Sequence, residues 1–278
     1  MSNDLLSRPD FVPPRRTGGH GVWDLDLYRG FAAWPLWRLL GWNDIRLRYR
    51  RSVLGPFWIT LSMTVLIVVL GIVYSRIFHM ELRTYLPYVA LGFIVWGFIS
   101  TSMLESCGAF QDSERIIKQI KVPFSAYVLR VIWRNVIVLM HTLVLLIPIS
   151  LIYAIWPGPV TLLAIPGLAL VFINQIWIGI LLAVISTRFR DIPPIVASLV
   201  QIMMFATPIM WPVSSLGNAT LLADINPVHH LIEIVRAPLL GQVPDTLSWI
   251  VTGAMAVVGM LFAAVVLRRA SRLIVYWL

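Results

Sequence analysis

Six stretches of this chain run almost without charge, each about long enough to cross a bilayer. Gly55 to Ser75, Tyr85 to Leu104, Val160 to Thr187, Ile192 to Trp211 and Leu247 to Leu267 contain no Asp, Glu, Lys or Arg, and Val131 to Trp156 contains only Arg134. A hydrocarbon core of ~30 Å is crossed by ~20 helical residues, and lipid obliges each crossing segment to satisfy its own backbone, as a helix does. The pattern predicts an all-α polytopic membrane protein with six transmembrane helices. At 59% hydrophobic and 13% charged residues, too little polar surface remains to cover six such helices in water.

The polar segments between the runs carry the rest of the organisation. Residues 1 to 22 have no apolar run of the kind a cleavable leader needs, so the first span is expected to act as the insertion signal. From Trp34 to Arg51, Leu, Ile, Trp and Tyr interleave with Arg38, Arg46, Arg48, Arg50 and Arg51 around Gly41. This reads as a helix in the headgroup plane, or as an ordinary basic segment beside the membrane. Gly55-Pro56 punctuates the start of the first span. Asp112 to Pro123 predicts a short helix, with Asp112 or Ser113 as its cap and Pro123 as its end. Ile116, Ile117 and Ile120 give it an apolar face that either docks a partner or packs on the chain's own spans. In the tight turn Arg188-Phe189-Arg190-Asp191, Asp191 is placed to cap the next helix. The run Val228 to Leu240, opened by Asn226-Pro227, is too short to span and predicts an outer re-entrant helical loop.

Charge fixes the expected orientation. The net charge is +9, and with the N-terminus inside, all 22 Lys and Arg except Arg76, Arg83 and Arg236 fall on the cytoplasmic side. Both termini are therefore expected in the cytoplasm of a multi-pass membrane protein. The basic residues then meet anionic headgroups rather than nucleic acid.

Candidate chemistry is sparse. Cys107 is the only cysteine, so neither an intrachain disulfide nor a cysteine metal cluster can form. The two lysines, Lys118 and Lys121, follow isoleucines, so no Gly-x-x-x-x-Gly-Lys phosphate loop exists. Neither catalytic nor metal-ligating residues are assigned, and energy from ATP must come from another polypeptide. His141, Asn174, Gln175 and Gln201 lie within spans, where they serve either function or interhelical hydrogen bonding. Arg130 and Arg134, four apart, share one face at the inner end of the third span. They can hold a lipid diphosphate bidentately, as can the cluster containing Arg50 and Arg51, or they can act as snorkelling anchors. Tyr74, Phe93, Trp96, Phe205 and Trp211 can line a path along which a glycan slides on ring faces, or sit at interfaces for their amphipathic character alone.

Four segments in order resemble a known family. They are Arg48-Tyr49-Arg50-Arg51-Ser52-Val53-Leu54-Gly55-Pro56-Phe57-Trp58, Ile116-Ile117-Lys118 to Val122-Pro123, Arg188 to Ile192 followed by Phe205-Ala206-Thr207-Pro208-Ile209-Met210-Trp211-Pro212, and Asn226-Pro227-Val228-His229-His230-Leu231-Ile232 to Arg236. They resemble the motifs of ABC-2 type permeases that export O-antigen, capsule or teichoic-acid polysaccharides. The resemblance implies three parts: a polar lead over 1–33, an amphipathic interface or gate segment over 34–56, and a six-span permease domain over 57–278. It implies a homodimer with two copies of a nucleotide-binding ATPase, which carry the ATP and Mg, and a lipid-linked glycan moving between the two permeases. Arg38, Arg46 and Arg48 on the interface helix would meet that ATPase, with Glu114, Ile116, Ile117, Lys118 and Lys121 on a coupling helix. Export of a drug or lipid, or a part in lipid-linked glycan synthesis, are the alternative functions.

Overall fold

The computed structural model describes residues 25–50, 57–154, 156–216 and 221–278. Arg51, the Gly55-Pro56 step and residues 1–24 lie outside the described residues. Every regular element is helical among the described residues. Among the described residues two short helices come first, α1 (Leu25–Ala32) and α2 (Trp34–Arg48), separated by Ala33. α1 is an addition to the sequence reading, which placed it inside the polar lead.

The spans follow. α3 (Phe57–Ile77) and α4 (Leu82–Ser106) form an antiparallel pair, and α5 (Glu114–Gln119) is the short helix after them. The third run is broken into α6 (Phe124–Leu143) and α7 (Leu146–Tyr153). Pro148 explains the break, since its ring excludes the carbonyl of Val144 and it donates no N–H. α8 (Ala164–Arg188) is preceded by a 3₁₀ turn over Pro159–Leu163. Among the described residues, five helical segments are long and apolar enough to cross a membrane: Phe57–Ile77, Leu82–Ser106, Phe124–Tyr153, Pro159–Arg188 and Thr246–Ala270.

The fifth predicted span, Ile192 to Trp211, is shorter as a helix than the sequence suggests. α9 (Ile192–Ala206) has 15 residues, about 22 Å of helix against a core of ~30 Å. It stops because Pro208 pushes the preceding Thr207 out of the helical region, and Thr207 is extended at φ −98°, ψ 141°. After the small α10 (Leu221–Asp224) comes α11 (Pro227–Leu239), close to the expected outer helix. Asn226 caps it, its side chain accepting from the amides of Val228 (3.0 Å) and His229 (3.4 Å). α12 (Thr246–Ala270) and α13 (Ile274–Trp277) complete the chain.

α4 is the central helix. Its buried residues run from Tyr85 to Ser106, and it packs on α3, α6, α8, α9 and α11. α11 lies buried against α4, α8 and α12. Gly167 of α8 allows that approach, because a Cβ there would sit 2.4 Å from the Ile234 carbonyl oxygen. α8 and α12 pair through Asn174, whose amide donates to the carbonyls of Leu170 (2.9 Å) and Thr252 (3.2 Å) and accepts from the Trp177 indole (2.8 Å). Asn174 is thus interhelical glue. Gln175 beside it is buried with neither amide atom paired, and Gln201 is exposed on α9. His141 is half-buried, with its ring nitrogen 2.7 Å from the Ile137 carbonyl oxygen.

Candidate functional site

α2 packs on α6 through a face that hydrophobicity alone does not reveal. Gly41 and Ile45 are its buried residues. Gly41 fits against the Arg130 carbonyl oxygen and the Trp133 ring, each 3.0 Å from where its Cβ would stand. Next to it, Asp44 meets both Arg130 and Arg134, which lie four apart on α6, while Arg48, one turn on from Asp44, reaches Glu105. Asp44 accepts from Arg130 Nε (2.7 Å) and a terminal nitrogen (2.5 Å), and from Arg134 (3.2 Å). Glu105, at the inner end of α4, accepts from Arg134 Nε (3.2 Å) and its terminal nitrogen (2.8 Å), from Asn135 (2.8 Å) and from Arg48 (2.8 Å).

Three guanidinium groups and two carboxylates thus join α2, α4 and α6. Arg134 and Asp44 are the most enclosed, at 15% and 13% side-chain exposure, while Arg48 remains 41% exposed. Both forks expected to hold a lipid diphosphate, Arg130 and Arg134, are engaged with carboxylates of this chain. Arg46 and Arg50 are exposed on the same segment. Arg38 stacks on Trp34 (4.8 Å to the ring centroid) and reaches towards Trp133 (5.9 Å). Trp34, Leu39, Trp42 and Leu47 are exposed.

The expected coupling helix, Asp112 to Lys121, is shorter than the sequence suggests, and its caps differ. Ser113 occupies the N-cap without a side-chain bond, because its own carbonyl takes the amides of Ile116 and Ile117 (2.9 Å each). Asp191, expected to cap α9, also makes no side-chain cap bond. The amides it would accept from belong to Pro193 and Pro194, which have none. Glu114 pairs with Lys118 at 2.6 Å, and that ammonium holds the Glu114 carboxyl below its ordinary range. Ile116 and Ile117 pack partly against the chain's own core, whereas Ile120 is 58% exposed and Lys121 is exposed. The Gln111 amide reaches the Ser186 carbonyl (3.0 Å), tying this segment to the end of α8. Gln111, Glu114, Thr187, Arg190, Pro193 and Trp277 line a cavity of about 370 Å³ where α5, the α8–α9 turn and α13 meet.

The predicted path residues separate. Phe93 and Trp96 are buried inside a single copy of the chain, at 5% and 4% exposure, and do not face a path between two copies. α4 is apolar on all sides, so its rotation could not be read from sequence. Tyr74 is half-buried and stacks on Phe78 (5.8 Å). Phe205 is exposed, and the Trp211 indole donates to its carbonyl at 3.0 Å. At the opposite end from the charge network, the Thr207–Trp211 turn is held by Arg236, which sequence reasoning left unassigned. Arg236 is 1% exposed, donates to the Pro208 carbonyl (2.8 Å), pairs with Glu233 (2.6 Å) and lies 3.9 Å from the Tyr88 ring centroid. Tyr85 donates to the Met210 carbonyl and Tyr88 to that of Pro208 (3.2 Å).

Among the described residues the chain is all helical, with several helices long and apolar enough to cross a membrane and a cluster of short helices at one end. Residues 35–240 match the family described as ABC-2 type transporter, and the chain belongs to that family. It is similar to the O-antigen export system permease protein RfbA of Myxococcus xanthus, at 25% identity over 87% of this chain and 93% of that protein. A Klebsiella pneumoniae protein of the same description is 21% identical over 61% of this chain and 66% of its own length.

Proposed function

We propose that this chain is the permease of an ATP-binding cassette exporter that carries a lipid-linked, O-antigen-like polysaccharide across the inner membrane. A separate ATPase, in two copies, supplies ATP and Mg. The observation that carries this reading is the platform itself: α5, the α8–α9 turn and α13 converge beside a cavity on one face, with Ile120 and Lys121 left uncovered. The similarity to O-antigen permeases supplies the substrate class. The purified chain alone should hydrolyse no ATP, and hydrolysis should begin when its ATPase is added. Ile120→Asp, which puts a charge on the uncovered apolar face, should weaken ATPase binding by at least ~10-fold, measured by pull-down from detergent. Unchanged binding and export in Ile120→Asp would place the docking surface elsewhere.

Two copies of the chain pair along the faces of α3 and α9. Both present long rows of exposed apolar side chains, and α9 adds Ser198 and Gln201 to its exposed face. An amide turned towards lipid is costly, which favours a partner copy or a watery path there. Phe205, one turn from Gln201, is the ring best placed to meet the glycan, while Arg46 and Arg50 are the exposed cations for the diphosphate. Both termini face the cytoplasm. A cysteine introduced at Gln242 should label from outside and one at Arg272 only from inside, against a quiet background because Cys107 is buried. Labelling of position 272 from outside would overturn the topology.

A further inference from the structure

α6 begins without a cap of its own. Its N-cap position is Pro123, which offers no side-chain acceptor. Helices leave their first amides unpaired, and a nearby Ser, Thr, Asp or Asn ordinarily takes them. Here Asp26 of α1 does so from far away in the sequence. Its carboxylate accepts from the amides of Phe124 (3.0 Å) and Ser125 (2.9 Å) and from the Ser125 hydroxyl (2.7 Å). The same hydroxyl lies 2.7 Å from the Asp26 carbonyl oxygen. The negative group also sits at the positive end of the helix dipole. α1 comes this close because of Gly30, where a Cβ would stand 2.0 Å from Ser125 Oγ and 3.2 Å from the Ala126 amide nitrogen. The Gly30 carbonyl accepts from the Trp37 indole (3.1 Å), which binds α1 to α2.

The grip falls at a joint. α5 ends at Gln119, and Ile120 is already extended. Only the connector to Pro123 separates α5 from the first turn of α6. α1 and α2 therefore hold α6 at two places, at Phe124–Ser125 through Asp26 and at Arg130–Arg134 through Asp44. The two places are about 11 Å apart along the helix. A two-point hold prevents α6 from rolling under its partners, so a push on α5 must move α1, α2 and the start of α6 together.

We propose that Asp26 is a positioning residue of energy coupling: it makes α1 and the first turn of α6 one body, so that displacement of the α5 segment by the ATPase reaches the span. This rests on the reading of the chain as an ATP-driven exporter. The test compares the wild type with Asp26→Ala, Asp26→Asn and Gly30→Ala. In the purified chain, amide exchange at Phe124 and Ser125 should quicken by ~10-fold in Asp26→Ala, the size expected for a lost cap. Asp26→Asn, which keeps one acceptor oxygen, should fall between. In the full complex in liposomes, glycan exported per ATP hydrolysed should drop by about 5–10-fold in Asp26→Ala and Gly30→Ala. ATPase binding should stay near wild type, as should the thermal midpoint of Asp26→Asn, whereas Gly30→Ala, whose Cβ would stand 2.0 Å from Ser125 Oγ, should lower the midpoint.

Unchanged exchange at Phe124 and Ser125 would overturn the clamp. Unchanged export per ATP, or a loss of export that merely follows loss of assembly, would overturn the coupling role. A wild-type complex that fails to export any glycan while hydrolysing ATP would instead strike at the functional reading, with the exchange measurement still deciding the clamp.

Discussion

Glu105→Ala should destabilise the chain by about 3 kcal/mol, the lower end of the range for breaking an enclosed ion pair by removing one partner. One carboxylate serves Arg48, Arg134 and Asn135, so its loss strands two guanidinium groups and an amide at the inner ends of α4 and α6. Arg134 suffers most, since it is largely enclosed and keeps only a single 3.2 Å contact to Asp44. Replacing charge and partner together, as Glu105→Gln with Arg134→Met, should recover much of the loss, because the enclosed guanidinium is gone and Arg48, 41% exposed, can turn to water. Thermal unfolding in detergent measures both. A single variant within about 0.5 kcal/mol of wild type, the scale of an ordinary surface substitution, would show that the network is solvated and not a joint between α2, α4 and α6.

Arg236→Lys should behave almost as badly as Arg236→Ala, each costing about 3 kcal/mol. A guanidinium plane can stack on Tyr88, fork to Glu233 and donate to the Pro208 carbonyl at once. An ammonium is a point charge and cannot do all three. The Pro208 carbonyl would lose its shortest partner, and Glu233 would face a poorly matched cation. Because this cluster holds the end of α9 against α4 and α11, export should fall with stability. Insertion should persist, since the apolar runs that direct it are untouched. Wild-type stability and export in Arg236→Lys would reduce the cluster to a charge requirement alone.

The spans were legible because lipid imposes one demand, long uncharged runs, and the chain meets it openly. The ends were less so. α9 and the break after α6 depend on where single prolines fall relative to their i−4 carbonyls and preceding residues, a local steric matter that hydropathy averages away. α2 hid its packing face because that face is Gly41, Ile45, Asp44 and Arg48, small and charged rather than apolar. The i, i+4 spacing of Arg130 and Arg134 was visible, yet their partners stand at Asp44 and Glu105, the former 86 residues from Arg130. α1 was missed for the same reason: Asp26 reads as a solvated charge until the bare end of α6 is placed beside it. Phe93 and Trp96 show the limit for aromatic residues, since a helix apolar all round gives no sign of which side meets its neighbours.

The shortness of α9 changes the barrier that a polar polymer faces. A helix of about 22 Å leaves roughly a quarter of a ~30 Å hydrocarbon layer unspanned beside it. Lipid next to such an element thins, or protein fills the gap. Here the Thr207–Trp211 turn and α11 occupy it, with carbonyl oxygens already satisfied by Arg236, Tyr85 and Tyr88. Were the proposed path to run beside α9, the insulating layer there would be asymmetric: apolar helix over most of its depth, and a polar collar for the rest. A sugar chain crossing it would be stripped of water over a shorter distance than the membrane is thick.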